Sequence, residues 1–68
     1  MPIYYVNKNA QSTGEHEVHK TDCSNPAAEE NRKYLGQFDN CQEAVKKAKK
    51  YFDNVDGCKF CSLACHTK

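Results

Sequence analysis

Five cysteines and three histidines carry the chemistry of this chain of 68 residues. The cysteines are Cys23, Cys41, Cys58, Cys61 and Cys65; the histidines are His16, His19 and His66. Cys58-Lys59-Phe60-Cys61 is a C-x2-C pair, the tight turn that lets two thiolates share one ion. Upstream, His19-Lys20-Thr21-Asp22-Cys23 is an H-x3-C pair. The two pairs together offer four soft or borderline donors. Zinc takes such N/S donors tetrahedrally, and in structural sites protein fills all four positions. The spacing therefore predicts Zn2+ held by His19, Cys23, Cys58 and Cys61.

The remaining thiols leave alternatives open. Five is odd, so a closed disulfide framework would strand one thiol. Cys41 falls on the apolar stripe of an expected helix, where a cysteine behaves as a small buried hydrophobe. Cys41 and Cys65 also form a candidate disulfide or redox couple. Cys61-x3-Cys65-His66 offers rival ligands: Cys65 competes with Cys23 or His19, and His66 with His19 for the fourth position. A redox-active Cys58/Cys61 pair of the thioredoxin kind would need a surrounding βαβ pattern, which the sequence lacks. His16 has no partner at ligand spacing and reads as a solvated strand residue.

So short a chain needs help of this kind. At 7.7 kDa and 38% hydrophobic residues it is one domain at most, spanning residues 1–68. Below roughly 70–80 residues a plain core supplies only about 3–5 kcal/mol, so disulfides, a metal or a partner must add to it. No apolar run nears the roughly 20 residues of a membrane helix. No secretory signal is visible at the start, which points to a cytoplasmic chain without membrane contact. The formal net charge is +1, too little for an overall field that would hold nucleic acid or an anionic membrane. There is no P-loop, glycine-rich phosphate cradle or Ser-His-Asp order to suggest an enzyme.

The elements that must position the donors are short. Ile3 to Val6 is β-branched and aromatic and reads as a strand. If so, Tyr4 and Tyr5 face opposite sides; one reads as core and the other as a candidate stacking platform, with core or surface filler the favoured reading for both. Residues 7–14 read as a loop and Glu15 to His19 as a second strand, paired with the first as a hairpin. Asn25-Pro26 marks a turn, with a helical turn over Ala27 to Glu30. Tyr34 to Phe38 is a third candidate strand, weakened by Gly36. Asn40 is an N-cap in capping-box register with Glu43, opening a helix over 40–52. Cys41, Ala44, Val45, Ala48 and Phe52 fall on one face of it. Asp56-Gly57 turns the chain into Cys58, and the tail from Ser62 has room for one helical turn. The expected fold is α+β: a short antiparallel sheet of two or three strands on one main helix, stapled by zinc.

The order of these features resembles the Ada-like metal-binding domain. The likeness rests on the tyrosine-rich strand, Val18-His19-x3-Cys23, Phe38-x5-Ala44 and Gly57-Cys58-x2-Cys61, and covers roughly residues 3–61. That domain occurs at the N-terminus of the Ada DNA-alkylation repair protein and as an accessory domain on some nucleases. The resemblance implies a zinc site at His19, Cys23, Cys58 and Cys61 and nucleic acid as a partner. It also implies a loss. His19 occupies the position where the repair protein carries its methyl-accepting cysteine, and a zinc-bound imidazole is not such a nucleophile. The expectation is therefore a non-catalytic module. The tail Cys65-His66 departs from the family pattern.

Charge is uneven. Residues 1–32 carry three cations against five acids, and residues 33–68 carry seven lysines against four acids. Lys46, Lys47, Lys49 and Lys50 lie largely opposite the apolar stripe; they read as the solvated face of the helix or as a nucleic-acid contact. Three functions follow: a monomeric zinc module contacting nucleic acid or another protein, a cysteine-based alkyl acceptor or redox sensor, and a metal-free disulfide-stabilised protein–protein adaptor.

Overall fold

The hairpin forms as its turn chemistry directs. In a computed structural model that describes residues 1–67, β1 (Ile3–Asn7) and β2 (His16–Lys20) pair antiparallel, with Tyr5 opposite His19 and Val6 opposite Val18. Gly14 sits at φ 99°, a left-handed conformation open to glycine, and its N–H donates to the Gln11 carbonyl at 2.8 Å. β3 (Arg32–Gln37) pairs antiparallel with the other edge of β1. A bulge interrupts that pairing, so that Tyr34-Leu35-Gly36 spans the register of Tyr4-Tyr5. Gly36, at φ 119°, supplies the backbone freedom the bulge needs.

Two expectations about the sheet are corrected. It has four strands, in the order β3-β1-β2-β4, and it is mixed rather than purely antiparallel. β4 (Val55–Gly57) runs parallel to β2, pairing His16 with Val55, Glu17 with Asp56 and Val18 with Gly57. Asp56-Gly57 is thus the end of a strand, not a turn. The α+β class itself holds.

Between β3 and β4 lies α1 (Cys41–Ala48), shorter than the expected 40–52. Asn40 caps it, its side-chain oxygen accepting from the Glu43 N–H at 3.0 Å. Beyond Ala48 the bonding tightens. Lys50 N donates to Lys47 O and Tyr51 N to Ala48 O, the i−3 spacing of a 3-10 turn that ends a helix. Two isolated 3-10 turns form: Glu29–Asn31, which begins two residues later than the turn expected over Ala27 to Glu30, and Leu63–Cys65 in the tail.

The sheet separates two environments. On the helix side, Tyr4, Val6, Val18 and Leu35 pack with Cys41, Ala44 and Ala48 as the core. His16 joins this side and is half-buried rather than fully solvated. Its ring stacks on Phe52 with centroids 3.9 Å apart, and its Nδ1 lies 2.9 Å from the Asn7 carbonyl oxygen. On the far side, Tyr5 is fully buried beside His19 and Tyr34. Both tyrosines are therefore buried, one on each side of the sheet, and neither is the free stacking platform that stood as the alternative. The segment between β2 and β3 covers Tyr5, whose hydroxyl oxygen accepts from the Ala27 N–H at 3.0 Å. Among the described residues, no helix is long and apolar enough to cross a membrane.

Candidate metal centre

Each donor arrives on a different kind of support. His19 lies on β2, its side chain on the face away from the helix. Cys23 follows in the turn after β2, where its N–H donates to the Lys20 carbonyl at 3.1 Å. Cys58 comes immediately after β4, its N–H bonded to the Val18 carbonyl at 3.0 Å. That bond extends the β2–β4 pairing and holds the knuckle against the hairpin. Ser62 N then donates to the Cys58 carbonyl at 2.8 Å, closing the turn that presents Cys61.

These supports bring His19, Cys23, Cys58 and Cys61 together, with one ligand atom from each lying within 4.8 Å of all the others, a group that can hold a metal ion. The Cys23 and Cys58 sulfurs are 3.7 Å apart, and Cys61 Sγ lies 3.9 Å from His19 Nδ1. In a zinc tetrahedron, Zn–S bonds of about 2.3 Å and Zn–N bonds of about 2.0 Å place neighbouring sulfurs about 3.8 Å apart, and sulfur and nitrogen about 3.5 Å apart. The two observed distances and the N/S chemistry of the donors suit a tetrahedral ion.

Electrostatics favours the same conclusion. Burial lowers the proton affinity of His19, with the Arg32 charge adding to the effect, so its imidazole is neutral and ready to ligate. Burial pushes the Cys23 thiol up to about 12. The Asn25 N–H opposes that shift and the neighbouring Cys61 and Cys58 add to it. Three thiolates this close repel one another, and a dication removes the conflict. Every sulfur also receives one backbone N–H. Lys20 N donates to Cys61 at 3.2 Å, Asn25 N to Cys23 at 3.4 Å and Phe60 N to Cys58 at 3.4 Å. A divalent ion with three thiolates and a neutral imidazole carries net −1, and these donors spread that charge.

The rival ligands are placed elsewhere. Cys41 and Cys65 form a disulfide with Cα atoms 6.2 Å apart, tying α1 to the tail, while Cys23, Cys58 and Cys61 are free thiols. His66 Nδ1 lies 3.0 Å from the Gly57 carbonyl and 3.2 Å from Asp56 Oδ2. Asp56, in turn, accepts from Thr67 N and Oγ1, both at 2.9 Å. Cys41, Cys65 and His66 thus lock the tail down and do not join the cluster. Lys46, Lys49 and Lys50 are exposed and Lys47 half-buried, on the outer side of α1. Lys46, Lys47 and Lys50 border a shallow cleft of about 230 Å³ with Phe38 and Glu43.

Three residues of the site's surroundings escape a ligand-spacing search. Glu17 Oε1 lies 3.5 Å from His19 Nε2. The Tyr5 ring stacks on His19 at 5.3 Å, and the Arg32 guanidinium lies 4.6 Å over Tyr5. Strand alternation is the signal that finds Glu17, since residues two apart share a face. Tyr5 and Arg32 come through pairing between strands, which spacing along the chain does not encode. Compared with family models, curated proteins and solved structures, the chain matches none of them.

Proposed function

We propose that this chain is a small non-catalytic zinc-binding module whose ion is structural, and that the face formed by β3 and α1 contacts nucleic acid. The observation that carries the zinc reading is the convergence of His19, Cys23, Cys58 and Cys61 from two ends of the fold. Mixed N/S donors favour zinc over harder cations. One ion joins the end of the hairpin to the knuckle across 35 residues of chain between Cys23 and Cys58. A structural zinc site contributes apparent binding free energies of about 10–16 kcal/mol at pH 7, large beside a core this small. Histidine at the first ligand position, and the Ada-like order of motifs, support a binding role over methyl transfer.

The nucleic-acid reading rests on chemistry gathered along one side. Lys33, Lys46, Lys47 and Lys50 accompany two rings, Tyr51 and Phe38, and Lys33 Nζ lies 4.3 Å over the Tyr51 ring. Lysines follow a phosphate backbone, and the exposed Tyr51 ring offers a stacking surface to an unpaired base, whereas Phe38 is half-buried against the core. A second reading, the metal-free adaptor, draws on the Cys41–Cys65 disulfide, which also weighs against a cytoplasmic site because disulfides persist in oxidising compartments.

Native mass spectrometry and chelation decide between the readings. The zinc module holds one ion per chain and loses NMR dispersion when chelated. A metal-free chain that keeps its spectrum supports the adaptor. Fluorescence anisotropy with single- and double-stranded oligonucleotides tests the second half. Binding that weakens with salt is expected, and K46A/K47A/K50A should lower the log–log salt slope by about 2, at about 0.7 per single-strand phosphate contact. No binding at low salt removes the nucleic-acid partner.

A further inference from the structure

The two nitrogens of His19 meet different chemistry. Nδ1 lies 3.9 Å from Cys61 Sγ, whereas Nε2 lies 3.5 Å from Glu17 Oε1. A neutral imidazole has one N–H and one lone pair, so whichever nitrogen donates leaves the other to bind. A ligating histidine almost always donates its free N–H to a carboxylate, a carbonyl or water. Glu17 is placed to be that acceptor, because it sits two residues before His19 on β2 and shares its face. The ring is also held from turning. His19 is buried, Tyr5 stacks on it at an interplanar angle of 24°, and Tyr5 is itself covered by Arg32.

We propose that Glu17 is a positioning residue for the metal centre, accepting the His19 Nε2–H and so presenting the Nδ1 lone pair to the ion. This rests on the zinc reading and adds to it the ligating atom and the carboxylate that selects it. Glu17 is suited to a clean test. Its side chain is 17% exposed and borders an open cleft with Cys58, Phe60 and His66, outside the apolar core on the other side of the sheet.

The experiment uses the full chain, its E17Q and E17A variants, and zinc or cadmium-113 as the only ligand. Imidazole nitrogen–proton correlation spectra of the loaded wild type should show His19 protonated at Nε2, with cadmium coupled to Nδ1. Competition against a chromophoric chelator should rank affinity as wild type, then E17Q, then E17A. The loss for E17A is about 10–100-fold, the usual cost of removing such a partner. In E17Q the side-chain amide oxygen still accepts the Nε2–H, so this variant recovers part of that loss. Coupling through Nε2, E17A binding as tightly as wild type, or E17Q as weak as E17A each overturns the role of Glu17 while leaving zinc binding intact. A wild type that takes up no zinc refutes the underlying reading instead.

Discussion

Gly57→Ala is the substitution that most directly tests how the knuckle is built. A Cβ at position 57 would lie 2.6 Å from Cys65 Cβ, 2.7 Å from the Ser62 carbonyl oxygen and 2.8 Å from the Cys65 carbonyl carbon. Carbon contacts settle near 3.5–4.0 Å, so the neighbours would have to retreat by roughly 1 Å. Two of the three are backbone atoms, and none is the loose end of a flexible side chain. Cys65 is tethered to Cys41, and its N–H donates to Ser62 O at 2.9 Å. Overpacking typically costs about 1–3 kcal/mol, and this pinned surrounding places the cost near the top, at about 3 kcal/mol. A domain of this length has a total stability of only about 3–10 kcal/mol. Urea denaturation of the zinc-loaded protein should show the loss as a lowered midpoint, and chelator competition should show weaker zinc, because Cys58 is the next residue. Freeing the tail with C41S/C65S should reduce the G57A penalty by about 1 kcal/mol or more, read as a double-mutant cycle. Gly14→Ala is the control. Its Cβ would meet only Asn54 Nδ2, at 3.5 Å, so it incurs the left-handed strain of about 1–2 kcal/mol and leaves zinc affinity unchanged. A G57A protein with unaltered midpoint and zinc affinity would show that the tail does not press on β4 and would refute this account.

Two further outcomes follow from the same geometry. The C41S/C65S variant should lose about 3.5 kcal/mol of stability in urea melts, from the chain entropy released when a cross-link over a sequence separation of 24 is removed, and should still bind one zinc. The metal-free chain should respond to alkaline pH through Cys23. The thiol is raised in the fold from about 9.0 to about 12, so its protonated form stabilises the fold fully below pH 9. That contribution is lost as pH climbs toward 12. Circular dichroism against pH should show the metal-free protein softening across this window, while the zinc-loaded protein, with its sulfurs already deprotonated, does not.

The two donor pairs, His19/Cys23 and Cys58/Cys61, were legible because each is local. Three intervening residues fix H-x3-C and two fix C-x2-C, and tetrahedral chemistry does the rest. The helix was legible from Asn40 and the apolar stripe, but its end was not. Lys49 to Tyr51 has no glycine or proline to stop it; the i−3 bonds of Lys50 and Tyr51, mixed with i−4 bonds from Lys49 and Phe52, form an irregular last turn that sequence does not mark. β4 was illegible for another reason. Val55-Asp56-Gly57 is three residues long and contains a turn dipeptide, and its strand character comes from pairing with β2 some 39 positions earlier. For Tyr5, strand alternation gives its face but not the loop that covers that face, so filler and free platform could not be separated by sequence alone. The Cys41–Cys65 link, one of two readings left open for Cys41, depends on how the tail folds back over Gly57.

The parallel alignment of β4 on β2 has an implication for how the chain reaches its native form. A slip of one residue would turn every side chain of the displaced strand to the opposite surface. His19 would then face the apolar layer, or Cys58 would leave its bond to Val18, and the quartet of donors would never assemble. On the zinc reading proposed above, capture of an ion would then act as proofreading: it would reward the correct alignment alone and leave misaligned chains free to reopen and try again.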